Sequence, residues 1–92
     1  MYKYVVEFLG TVFFFLVILL TGSAIPIGLA LAAVIMVGGK ISGGHFNPAV
    51  SVMMARAGKL KMADLAPYIG AQVLGGLVAL ELSKHIKFSI RW

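Results

Sequence analysis

Cysteine is absent from the chain, and charge of either sign is scarce. Without cysteine there is no disulfide, no thiolate metal site and no lipoprotein acylation. Three residues are acidic, Glu7, Asp64 and Glu81, and their scatter supplies no paired carboxylates for acid and base chemistry. His45 and His85 are too far apart in sequence to announce a metal cluster. The Gly43-Gly44 pair lacks the Lys-Ser or Lys-Thr that a phosphate-binding loop requires, and no nucleophile stands with a base. An enzyme is therefore not expected, nor is a metal or cofactor.

What the chain has in abundance is apolar surface. Its 92 residues are 61% hydrophobic and 12% charged, with a mean hydropathy of +1.02. That leaves too little polar surface for a soluble globule and points to an integral, multi-pass membrane protein. The net charge of +5 is carried by residues at segment ends, where they meet lipid headgroups, so nucleic acid is not an expected partner.

Four elements follow from the pattern, all within one unit over residues 1–92. A first apolar segment runs from about residue 4 to 21, enough to cross a bilayer, which takes roughly 20 residues. Lys3 and the small residues Gly22-Ser23-Ala24 imitate a signal peptide, but the acidic Glu7 is wrong for one. A very short connection then forces a tight hairpin into a second span, about 25–41, opened by Pro26. A third span covers about 63–86, with Asp64 expected as its N-terminal cap and Pro67 in its first turn. A basic tail, 87–92, ends at the membrane interface.

Between the second and third spans lies the segment 42–57, with the run Ser42-Gly43-Gly44-His45-Phe46-Asn47-Pro48-Ala49. Asn is among the best N-cap residues and Pro is favoured at the first helical position, so a helix should start at Pro48. It should stop at Gly58, with Arg56 in its last turn. At 1.5 Å per residue such a helix is roughly 13 to 15 Å long, about half a hydrocarbon core. A helix ending near mid-membrane survives only if its start is buried in protein or lines a wet cavity, the mark of a solute pathway. The expected fold is all-α: three transmembrane helices and one re-entrant half-helix.

Small residues recur every four positions, as Ala71, Gly75 and Ala79 on the third span and as Gly28 and Ala32 on the second. That spacing lets membrane helices approach closely. With a cytoplasmic amino terminus, five of the eight Lys and Arg lie inside, a bias weak enough for dual topology.

The run from Ser42 to Val50 resembles the first signature loop of the aquaporin and aquaglyceroporin family, the major intrinsic proteins. Three further matches keep the family's order: Glu7-Phe8-Leu9-Gly10-Thr11, Gly28-Leu29-Ala30 and Tyr68-Ile69-Gly70-Ala71-Gln72. The resemblance implies the first of two inverted repeats, each of three spanning helices and a half-helix. It assigns solute contact to Asn47, packing of the half-helix start to Pro48 and Ala49, and a ladder of carbonyl acceptors to Gly43, Gly44, His45 and Phe46. It gives His45, Glu7 and Gln72 the task of bracing the loop. Two positions depart from the family's pattern. Ile27 stands where an aromatic constriction residue is usual, and Val50 matches the position after the tripeptide that carries a pore-lining Arg in the second loop.

The implied function is a passive channel for water and small uncharged solutes such as glycerol, formed by antiparallel pairing of two half-repeats as a homodimer or higher oligomer. A non-conducting structural or interaction protein that keeps the half-aquaporin fold is the alternative. A wider ion pore with Lys40 and Arg56 at its mouth is a further one.

Overall fold

The computed structural model describes residues 1–86, and the interfacial tail expected over 87–92 lies outside them. Four helices succeed one another: α1 over Tyr2–Thr21, α2 over Ala24–Ser42, α3 over Pro48–Arg56 and α4 over Met62–His85. The α1, α2 and α4 helices are long and apolar enough to cross a membrane. The nine-residue α3 rises about 14 Å, the half-helix expected.

Local chemistry sets these bounds. Gly22 closes α1 in the left-handed conformation, its N–H bonded to the Ile18 carbonyl at 2.9 Å. With Ser23 it makes the whole connection to α2, so the two helices are antiparallel neighbours. Asn47 caps α3: its Oδ1 accepts from the Ala49 N–H at 2.8 Å, and Pro48 occupies the first helical position.

The start of α4 differs from expectation. Lys61, not Asp64, precedes the helix, and Asp64 sits within its first turn. The carboxylate turns instead to α1, accepting from Lys3 Nζ at 2.8 Å and from the Tyr4 hydroxyl at 2.6 Å. Two donors on a facing helix outcompete a single backbone N–H, and the charge still complements the positive end of α4. Because α4 begins at Met62, Pro67 falls in the second turn rather than the first.

Helix α1 is the centre of the bundle, packed on α2 along one side and on α4 along the other, while α3 lies on α4. The α1/α4 contact is close because Gly75 has no side chain. A Cβ there would stand 2.9 Å from the Phe8 carbonyl oxygen and 3.0 Å from Thr11 Cβ. Gly75 and Ala79 are buried, so the small-residue stripe of α4 is used within the chain. The stripe on α2 is not. Gly28 and Ala32 are exposed, and a Cβ on Gly28 would meet nothing within 4 Å. Spacing marks a surface as able to pack closely; only the position of α1 decides which stripe faces it.

Gly75→Ala should therefore force α1 and α4 apart and lower stability by about 1 to 3 kcal/mol. Gly70→Ala, on the same helix with open space around it, should be neutral or mildly stabilising. Thermal unfolding of both variants in detergent, followed by circular dichroism, checks the contrast.

Candidate functional site

The site is built around a carboxylate that composition alone would place in lipid. Glu7, in the second turn of α1, is 0% exposed. An ionisable side chain at that depth is costly unless its lone pairs are filled. Here four donors fill them. Oε2 accepts from the Ser42 hydroxyl at 2.7 Å and from the His45 N–H at 3.1 Å. Oε1 accepts from the Phe46 N–H at 2.8 Å and from Gln72 Nε2 at 2.8 Å. A carboxylate has about four lone-pair sites, so its capacity is met by α1's neighbours on three sides.

The loop presents those N–H groups because its backbone leaves the ordinary region. Gly43 and Gly44 have φ of 92° and 69°, and Phe46 has φ of 53°, a left-handed conformation that non-glycine residues rarely adopt. The strain at Phe46 is held by burial. Its ring is 0% exposed and fills the space over Gly10 and beside Gly38. Sequence reasoning assigned Phe46 only a carbonyl; the structure adds a ring that pins the loop between α1 and α2.

A second set of bonds links loop, half-helix and α4. Gln72 Nε2 also donates to Ser51 Oγ at 2.8 Å, and His45 Nδ1 lies 2.8 Å from the same oxygen. Ser51 Oγ, which accepts from Gln72, keeps both a hydrogen and a second lone pair for His45 Nδ1, so either neutral tautomer of the ring completes this bond. The Gln72 amide orientation is fixed, because a flip would set Oε1 against the Glu7 carboxylate. In this orientation Gln72 Oε1 is buried without a partner among the described residues. The Tyr68 hydroxyl completes the set by donating to the Ser42 carbonyl at 2.7 Å.

Ser42, Ser51 and Tyr68 were not singled out from sequence as site residues. A signal was present: Glu7 with Thr11, and Tyr68 with Gln72, are polar pairs four apart on otherwise apolar helices, and Ser51 shares a helical face with Asn47 and Ala55.

Of the residues expected to meet solute, Asn47 and Ala49 are exposed and Pro48 and Val50 half-buried at the start of α3. With Oδ1 committed to the cap, the Asn47 Nδ2 group has no partner among the described residues. No described donor bonds the carbonyls of Gly43, Gly44, His45 or Phe46. Ile27 is not brought to this cluster. It lies in the first turns of α2, roughly 22 Å along the axis from Ser42. Groups of three or more potential metal ligands are absent among the described residues.

Beyond the start of α3 an open groove of about 480 Å³ continues along α1 and α4. Phe15, Ile18, Leu77 and Leu80 line it, with Pro48 and Gln72 at its inner end.

Glu7→Gln keeps the shape but turns a donor amide toward the N–H groups of the loop. Unsatisfied buried donors cost about 1 to 3 kcal/mol each, so a loss of about 3 kcal/mol is expected. Thermal unfolding in detergent measures it, and amide exchange at His45 and Phe46 should accelerate in the same variant.

Comparison with known proteins accords with this arrangement. The chain is 48% identical over 63 residues to aquaporin-8 of Notomys alexis, covering 68% of this chain and 24% of that protein. It is 46% identical over 90 residues to glycerol uptake facilitator protein-like 6 of Lactiplantibacillus plantarum, covering 86% of this chain and 41% of that protein. It is 48% identical over 61 residues to aquaporin Z of Brucella melitensis, covering 66% of this chain and 27% of that protein. The chain thus spans less than half the length of these relatives. No solved structure matched it. The model of the major intrinsic protein family matches residues 1–90, and with its three apolar helices and inward half-helix the chain belongs to that family of integral membrane proteins.

Proposed function

We propose that the chain forms a passive channel for water and small uncharged solutes such as glycerol, assembled from two copies in opposite orientation about a twofold axis in the membrane plane. One observation carries the reading: the capped start of α3 opens onto an apolar groove between α1 and α4, the face against which a second half-helix would lie. Gln72 is near the midpoint of the 24-residue α4. From Val73 to His85 the helix extends about 20 Å further, against about 14 Å needed by a nine-residue helix. A copy inverted across the membrane would lay its own α3 there, start to start. Two such helices rise about 28 Å together, close to the thickness of a hydrocarbon core.

The chemistry of passage follows from the groups left uncommitted. Asn47 Nδ2 donates to the oxygen of a passing water or hydroxyl. The free carbonyls of Gly43, Gly44 and His45 accept from it on the way in, replacing hydration, while Phe46, wholly buried, pins the loop instead of meeting the solute. Each α3 start contributes roughly half a positive charge, so two of them facing one another repel cations and protons. Val50 offers no cation of its own, and the half-buried Ile27 gives an apolar lining, which favours neutral solutes beyond water. Glu7 and Gln72 hold the loop and do not touch the solute.

Stopped-flow shrinkage of liposomes carrying the purified chain tests the proposal. Fast shrinkage should be abolished by Asn47→Trp, which fills the exposed position at the start of α3. Shrinkage no faster than in empty liposomes would indicate a protein that keeps the fold without conducting. Pairing is tested separately with Ala49→Cys in a chain that has no other cysteine. The antiparallel arrangement brings the two thiols together at mid-membrane, and oxidation should give a disulfide-linked dimer.

A further inference from the structure

The channel reading leaves most of the basic residues unused, and most of those among the described residues gather at one end of the bundle. Helices α1 and α4 begin at the same end of the bundle, tied by Asp64 to Lys3 and Tyr4. Gly38 of α2 packs against Val6, which sets Lys40, two residues further along the antiparallel helix, near the level of Tyr4. Helix α3 returns to this end with Arg56 in its last turn, and Lys59 and Lys61 lie in the link to α4.

Lys40, Arg56, Lys59 and Lys61 thus share one rim. All four are exposed, and none forms an ion pair among the described residues. The acid on that rim, Asp64, is already engaged by Lys3 at 2.8 Å, and its side chain is only 12% exposed. At the opposite end Glu81 and Lys84 pair with each other at 3.0 Å. Among the described residues, the rim that holds Lys40, Arg56, Lys59 and Lys61 carries uncompensated positive charge.

Depth and neighbours identify what meets it. The 20 residues of α1 rise about 30 Å, the thickness of a hydrocarbon core, so the rim lies at the level of lipid phosphates. Exposed apolar side chains adjoin the basic ones: Ile41 follows Lys40, and Met62 follows Lys61. A free anion has no use for such neighbours, whereas a phospholipid offers a phosphate to the cation and an acyl chain to the apolar side chain beside it.

We infer that this rim binds anionic phospholipid headgroups, with Lys40, Arg56, Lys59 and Lys61 holding the charge and Ile41 and Met62 meeting the acyl chains. Arg56 supplies a planar fork suited to phosphate oxygens, and the lysines act as point charges. The inference does not depend on whether the chain conducts.

Native mass spectrometry of the full chain released from mixed micelles of phosphatidylglycerol and phosphatidylcholine provides the test. The unmodified chain should retain phosphatidylglycerol preferentially, and the preference should collapse at ~0.5 M salt, where screening acts within a few ångströms. Each of K40Q, R56Q, K59Q and K61Q should reduce it, by about fivefold per charge removed. K84Q, at the other end, should leave it unchanged. Equal retention of the two lipids by the unmodified chain overturns the inference without reference to any variant. So does a preference that survives in the fourfold variant with helicity intact, or one fully displaced by inorganic phosphate, which would mark a site for the free anion.

Discussion

The carboxylate of Glu7 is the interaction on which the rest of the structure rests. A charge buried among apolar helices has a desolvation cost that no single hydrogen bond offsets. Four donors are therefore drawn to one point, from the end of α2, from two successive residues of the loop and from α4. Each donor is also a structural assignment. The loop cannot present the N–H groups of His45 and Phe46 together unless its backbone turns left-handed. Gln72 cannot reach Glu7 unless α4 lies close to α1. The place where α3 begins follows from these two conditions.

Close approach is supplied by missing side chains. Gly75 lets the backbone of α1 rest against α4, and Gly10 leaves the space that the Phe46 ring occupies. In a membrane there is little hydrophobic force to press helices together, so shape and polar bonds must do it. The polar interior of this small bundle is consequently larger than its apolar one. Glu7, Thr11, Ser51, Gln72 and Tyr68 are buried, while leucines and phenylalanines such as Leu9, Phe13 and Leu77 face outward. That inversion is what a lipid solvent requires.

Two kinds of positive charge serve different ends. The partial charge at the start of α3 lies beside the exposed Asn47 and Ala49, and in the proposed channel it would bear on what can pass. The full charges of Lys40, Arg56, Lys59 and Lys61 lie on one rim, where they meet headgroups. On that rim Asp64 engages Lys3 and Tyr4 rather than capping α4, and Lys40, Arg56, Lys59 and Lys61 form no ion pair among the described residues.

The sequence by itself determined the elements of this protein. Apolar runs of membrane length, a hairpin too short for anything but antiparallel helices, and Asn47-Pro48 as a helix start are local features, set by propensity and solvent. That an acidic residue in an apolar helix must be paired was legible for the same reason, while its task of bracing the loop was implied by the family resemblance. Only the tertiary structure decided which partners do the bracing. Ser51 and Ser42 look in sequence like ordinary small polar residues, and they become hubs because α3 and the end of α2 converge on Glu7. Likewise Gly28 and Ala32 carry the same spacing as Gly75 and Ala79, yet one pair is open and the other closed. Spacing states what a surface can do, and the choice among equivalent surfaces is a long-range one, made where the demands of a buried charge are met.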